Sequence, residues 1–157
     1  MSTLARILLV EDDPADAKLV LDALADLRLD QQTLRLPDGI QALDYLNTRG
    51  KFTDRPSGHP AVVLLDVKMP GLSGLEVLEQ LRSEPSLRLI PVVMLTASRQ
   101  EQDVRRAYGL GANGYLVKTI DFLSCMASLR ACGQYFAMAN EPPPGCLAPP
   151  KMAWSPE

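Results

Sequence analysis

A chain of 157 residues, 46% hydrophobic and 22% charged, suits one globular domain with room for a full core. The net charge of −3 and a pI near 5.2 give no footing for general nucleic-acid binding, and no apolar run reaches membrane-spanning length. Three cysteines without metal-ligand spacing fit a reducing compartment, and residues 1–6 lack a signal-peptide pattern, so a cytoplasmic protein is expected.

Residues 6–10 (R-I-L-L-V) read as a strand buried on both faces, and they run straight into Glu11, Asp12 and Asp13. Three successive carboxylates repel one another unless a cation sits nearby. Asp13, before Pro14, is placed to cap a helix, which leaves Glu11 and Asp12 for chemistry. Ala17, Val20, Leu21, Leu24 and Leu27 recur at helical spacing over 15–27. A short strand at 33–36 leads to a turn at Asp38-Gly39 and a helix carrying Ile40, Leu43 and Leu46. Residues 47–60 hold Gly50, Pro56, Gly58 and Pro60 and read as a loop. The only histidine, His59, lies there and is expected to be a surface loop residue.

Residues 61–65 (A-V-V-L-L) form a second run without polar interruption, ending on Asp66, and Pro70-Gly71 then turn the chain. Ser73 and Glu76 make a capping-box pair for a helix with Leu75, Val77, Leu78 and Leu81, ended at Glu84-Pro85. The strand at 91–95 delivers Thr96, Ala97 and Ser98. A helix over 101–110 and glycines at 109 and 111 precede a fifth strand, 114–117, which delivers Lys118. The last helix is expected over 119–138.

Five strand-helix units imply an α/β fold: a doubly wound five-stranded parallel sheet, flavodoxin-like order 2-1-3-4-5, with five helices. Ligands bind such sheets at the switch between strands 1 and 3, where Glu11, Asp12 and Asp66 would meet. Three carboxylates carry −3, which Lys118 and one divalent cation together balance. Oxygen donors with no His or Cys beside them suit Mg²⁺ better than zinc or iron. A carboxylate, a cation, a hydroxyl and a lysine suit phosphoryl transfer, with Asp66 as the nucleophile and Lys118 neutralising phosphoryl oxygens. The Thr96 hydroxyl can donate to a further oxygen.

The segments I-L-L-V-E-D-D-P at 7–14, L-L-D-V-K-M-P-G at 64–71, V-V-M-L-T-A at 92–97 and G-A-N-G-Y-L-V-K at 111–118 resemble the receiver domain of two-component response regulators. The resemblance covers about residues 5–138. It implies that Asp66 is the phosphoacceptor and that Mg²⁺ is bound by Asp12, Asp66, the Lys68 backbone carbonyl and, through water, Glu11. It assigns Thr96, Ala97, Tyr115 and Lys118 to phosphate binding and switching, with Thr96 and Tyr115 as the switch pair. The donor would be a phosphohistidine on a sensor histidine kinase, and the protein a signalling receiver that catalyses only its own phosphotransfer and dephosphorylation. One departure stands out: the family usually has a cis proline after the lysine, and here Thr119 follows Lys118. A cis bond before a non-proline residue costs about 3 kcal/mol, so either the loop is trans and reshaped or it is strained.

From Ile120 to Met138 only Asp121 and Arg130 are charged, and apolar residues cover more than one helical face. Excess apolar surface on an outer helix points to a protein interface, and a homodimer through this helix and the C-terminal arm is expected. Cys125 and Cys132 are expected to pack rather than react. We divide the chain into a receiver domain, 1–139, and a Pro-rich C-terminal arm, 140–157, whose Trp154 favours docking over disorder. No second hydrophobic core follows, which resembles stand-alone regulators. Thr48-Arg49-Gly50 after Asp44-Tyr45-Leu46, and Gln134-Tyr135-Phe136 before the prolines, resemble those paired with bacterial phytochromes. Partners are therefore expected to be proteins, with no nucleic acid and no membrane. The alternatives are a non-phosphorylated dimerisation or scaffold module, which Thr119 would suit, and an aspartyl-phosphate phosphatase. The phosphatase lacks its usual second acid, because position 68 is Lys.

Overall fold

Five strands, β1 (Ile7–Val10), β2 (Thr33–Leu36), β3 (Val62–Leu65), β4 (Val92–Thr96) and β5 (Gly114–Val117), pair in parallel in the order β2-β1-β3-β4-β5. The structure is a computed structural model and describes residues 3–150. All residues of β1, β3 and β4 are buried, because helices cover both faces of the sheet. On one face Leu8, Val10, Val63, Leu65, Val92 and Met94 pack under α2 (Gly39–Leu46), α3 (Gly74–Ser83) and α4 (Glu101–Gly109). On the other, Ile7, Leu9, Val62, Leu64, Val93 and Leu95 pack under α1 (Pro14–Ala25) and α5 (Phe122–Gly133). Each fully buried Leu, Ile or Val contributes about 1.5–3 kcal/mol, so the three central strands hold the sheet and the helix pattern only has to close over it. Among the described residues no helix is long and apolar enough to cross a membrane.

The helix starts follow the expected chemistry. Asp13 caps α1 by accepting from the Ala15 N–H, with Pro14 at the first position. Ser73 and Glu76 complete the capping box of α3. Helix α1 stops at Ala25, two residues before the expected Leu27, because Arg28 turns left-handed (φ 57°) and the Leu29 N–H returns to the Leu24 carbonyl.

The last helix differs from expectation at both ends. It begins at Phe122 rather than 119, with Asp121 at the cap position, and after Gly133 it widens into a π-helical turn over Gln134–Ala139. Cys125, Met126 and Leu129 are buried, whereas Ile120, Phe122, Leu123 and Tyr135 are exposed. The surplus apolar surface read from the sequence is therefore present. The three cysteines are free thiols, with Cys125 buried and Cys132 half-buried.

Residues 140–150 lie against the domain as an extended segment. The His59 N–H donates to the Gly145 carbonyl and the Leu147 N–H to the His59 carbonyl, both at 2.9 Å. Arg6 donates to the Ala148 carbonyl at 2.8 Å, and Pro142 is buried. His59 is thus half-buried beneath this segment rather than an open surface residue, since two backbone bonds hold the chain across it. Trp154 and the rest of the expected arm, 151–157, lie outside the described residues.

Candidate functional site

The sheet's hydrogen bonding runs one residue past the ends of three strands and fixes the backbone there. The Glu11 N–H donates to the Leu36 carbonyl, Asp66 N–H to Val10, and Lys118 N–H to Thr96. All three side chains therefore meet at the carboxyl end of the sheet, over the β1/β3 switch point. Glycine is needed at Gly74, the first residue of α3: a Cβ there would stand 1.8 Å from the Asp66 carbonyl oxygen. Helix α3 can press against the Asp66 backbone only because that atom is missing. Gly71, at φ 75°, makes the turn between them.

Glu11, Asp12 and Asp66 bring one carboxylate oxygen each within 4.8 Å of one another. Glu11 is 1% exposed and Asp66 9%, while Asp12 is half-buried. Lys118 reaches into the cluster, donates to Glu11 Oε1, and lies 3.2 Å from Asp16 Oδ2 and 3.9 Å from Asp66 Oδ2. No described peptide bond is cis, so the Lys118–Thr119 bond is trans, and Lys118 still points into the acids. Lys68 has an exposed side chain, and its N–H faces Asp66 Oδ1 at 3.4 Å.

Burial, reinforced by the neighbouring Asp66 carboxylate, pushes Glu11 up to about 8 against the pull of Lys118. Burial alone would lower Lys118, but the Glu11 bond and the charges of Asp66, Glu11 and Asp16 outweigh it and hold Lys118 above its ordinary value. Both partners favour their protons because one lysine does not offset the crowded carboxylates. Glu11 Oε2 is buried and has no hydrogen-bond partner. An oxygen-only donor set with an unmatched buried oxygen and surplus negative charge fits a hard divalent cation.

Thr96 is buried at the end of β4, with Oγ1 accepting from the Ser98 N–H at 3.2 Å, so its own proton stays available. Ala97 beside it is exposed. Tyr115 is half-buried and donates its hydroxyl to the Ser98 carbonyl at 3.0 Å. Ser98 Oγ donates to Asp103 Oδ2 at 2.6 Å, tying the same loop to α4. Burial raises the Tyr115 pKa, so the hydroxyl keeps the proton it donates.

Two residues at this end escaped sequence reasoning. Asp16, at the third position of α1, is the second bonding partner of Lys118. Arg35 on β2 donates to the Glu11 and Asp12 backbone carbonyls at 2.9 and 3.0 Å, clamping the acidic turn. Neither belongs to a motif. The one available signal was a charged residue on a short strand beside the switch point.

A parallel 2-1-3-4-5 sheet with an acidic pocket and a lysine at the β1/β3 switch defines a phosphoryl-accepting signalling domain, and the comparisons agree. The response regulator receiver domain family matches residues 7–130, and the chain belongs to that family. Its members act in two-component signalling through phosphorylation of an aspartate. Response regulator Rcp1 of Synechocystis sp. is 41% identical over 113 residues, 72% of this chain and 76% of Rcp1. The structure of the bacteriophytochrome response regulator RtBRR is 51% identical, covering 91% of this chain and 86% of that one, with a TM-score of 0.71. The phosphorylated cyanobacterial phytochrome response regulator RcpA superposes with a TM-score of 0.81 at 30% identity, covering 90% of this chain and 99% of that one. Relatives of this chain thus include phytochrome response regulators, and receiver domains bind a divalent metal.

Proposed function

We propose that this receiver takes a phosphoryl group from a phosphohistidine of a sensor histidine kinase onto Asp66, in the cytoplasm. The P–N bond of the donor breaks, its electron pair staying on the imidazole nitrogen, as an Asp66 carboxylate oxygen bonds to phosphorus. An ionised carboxylate needs no general base. Lys118 neutralises one phosphoryl oxygen, and Thr96 donates its hydroxyl proton to another beside the Ala97 backbone. Asp12, Asp66 and the Lys68 carbonyl would hold Mg²⁺, with Glu11 acting through water. The ion would supply charge neutralisation on the transferred group. Water later cleaves the acyl phosphate and restores the carboxylate, releasing inorganic phosphate.

The observation that carries this reading is the cluster of Glu11, Asp12 and Asp66 with Lys118 aimed into it across a trans Lys118–Thr119 bond. That geometry weighs against a scaffold that is never phosphorylated. Thr96 and Tyr115 transmit the change, since the Tyr115 hydroxyl is bonded to the loop that follows Thr96. The boundary between a receiver over 1–139 and an arm from 140 fits the docking of residues 140–150. The RtBRR and RcpA likeness favours a bacteriophytochrome as the kinase. The exposed Phe122, Leu123 and Tyr135 favour a homodimer, with protein partners rather than nucleic acid or membrane.

Acetyl phosphate with Mg²⁺ should add one phosphoryl group by intact-mass analysis. Asp66→Asn should abolish the label and leave the circular dichroism spectrum unchanged. A labelled Asp66→Asn protein would overturn the assignment.

A further inference from the structure

Lys118 is drawn in two directions. Its ammonium has three N–H groups. One goes to Glu11 and another meets Asp16 Oδ2 at 3.2 Å. Asp66 Oδ2, the atom the phosphorylation reading needs near Lys118, is 3.9 Å away and beyond hydrogen-bond reach. Lys118 therefore rests on the α1 side of the pocket.

Asp16 is well placed to hold it there. It sits in the first turn of α1, where Asp13 caps the helix and Pro14 starts it. The partial positive charge at a helix start favours a carboxylate in this first turn, next to the position Lys118 reaches. Among the described residues, Lys118 is its one hydrogen-bond partner. Asp16 also adds a fourth negative charge to a pocket that must accept an anion.

We propose that Asp16 is a positioning residue that competes with the phosphoryl group on Asp66 for Lys118, and so limits how tightly the phosphorylated site is held. The inference rests on the assignment of Asp66 and Lys118 above. The phosphoryl oxygens must win Lys118 from a partner already in contact with it. Removing that partner releases the ammonium toward Asp66. It also removes charge repulsion, so bare electrostatics and competition must be told apart.

The test is binding of beryllium fluoride, the phosphoryl mimic, in saturating Mg²⁺, followed by amide shifts in ¹⁵N–¹H spectra. Asp16→Ala should bind the mimic about five-fold tighter than the unmodified chain, the effect expected of one half-exposed ion pair. In a Lys118→Ala background the same substitution should change affinity by less than about two-fold, because the coupling runs through the lysine. Asp16→Glu, which still reaches Lys118, should return affinity to within about two-fold of the starting value, a readout that a general loosening of α1 would not restore. Unchanged or weaker binding in Asp16→Ala overturns the proposal, as does equal tightening in both backgrounds, which would be a charge effect alone. If the unmodified chain neither binds the mimic nor takes label from acetyl phosphate, the phosphoacceptor assignment fails and this inference falls with it. Normal labelling with an inert Asp16→Ala removes only the role of Asp16.

Discussion

Among the described residues, two buried side-chain atoms lack a hydrogen-bond partner, Glu11 Oε2 and His59 Nδ1, and they lie at opposite ends of the sheet. At the carboxyl end, Glu11 is crowded by carboxylates, and its proton affinity is raised by burial and by Asp66. At the amino end, His59 lies beneath residues 145–147, and burial, then the charge of Arg55, lowers its proton affinity. One unmatched atom sits where the carboxylates of Glu11, Asp12 and Asp66 outnumber the single Lys118, an environment that suits a cation. The other sits where the chain's own extension covers it, and neutrality resolves it. The same defect by bond count thus suits ligand binding at one end and packing at the other, and the surrounding charge sets the difference.

The largest expected effects separate the two ends. Arg55 donates to the carbonyls of Tyr45, Leu46, Pro56 and Gly58 and lies 4.6 Å from the Tyr45 ring centroid. Arg55→Ala strips partners from several buried carbonyls at once and should cost about 3 kcal/mol in urea denaturation. Its Mg²⁺ affinity should stay unchanged. Asp12→Ala should do the reverse, abolishing measurable Mg²⁺ binding by calorimetry while leaving unfolding in chelator at or above the original midpoint. A shared phenotype for the two variants would break the division.

The two ends should also answer pH with opposite signs. Glu11 moves from an ordinary value of 4.5 to about 8 on folding, so between those values the folded state holds a proton the unfolded state has lost. Stability of the metal-free protein should fall as pH rises through that window. Saturating Mg²⁺ should reverse the trend, since the ion displaces the proton and binds more tightly as pH rises. Denaturation midpoints across this range, with chelator and with Mg²⁺, would show it. Glu11→Gln should flatten the chelator series, and a slope that survives in that variant would remove Glu11 as its source.

The carboxyl end was far more legible from sequence than the amino end, and the reason is the strand. A continuous apolar run that stops on Glu11, Asp66, Thr96 or Lys118 states both the strand and its product. Parallel order then brings those products together, as the register between β1 and β3 does for Glu11 and Asp66. Asp16 and Arg35 were missed because their partners lie 102 and about 24 residues away and no periodicity encodes such a meeting. The covering of His59 was missed for a related reason: proline excludes helix and central strand but does not say where an extended segment lies. Helix α5 starts only at Phe122, with Asp121 at the cap position and its carboxylate accepting from the Ser124 hydroxyl at 2.6 Å, a local contact that the apolar pattern does not encode.

A smaller effect tests how the acidic end is held. Arg35 touches backbone carbonyls of Glu11 and Asp12 rather than their carboxylates. Arg35→Ala should therefore weaken Mg²⁺ binding by about ten-fold, the usual loss when an outer partner of a metal ligand is removed. Amides of residues 11–13 should exchange faster, while those of 145–147 should not change. Loss of binding without local loosening would mean that the guanidinium acts through its charge.

The smallest expected effect concerns His59. Its proton affinity is depressed in the folded chain, mainly by burial and then by Arg55, with the Ser86 backbone pulling the other way. The contribution to stability is fully present above the ordinary value of 6.5 and is lost as pH falls through the depressed one. The consequence should appear first where the arm meets the domain. A proton on Nδ1 would create a buried cation beside Arg55, and displacing the arm exposes it to water. Exchange of the His59 and Leu147 amides, which bond across that contact, should quicken on acidification before the amides of β3 respond. His59→Gln cannot gain charge and should remove this acid response without altering Mg²⁺ binding. Should the same acid response persist in His59→Gln, the arm would be governed by another group, and His59 Nδ1 would be a packing defect with no part in its release.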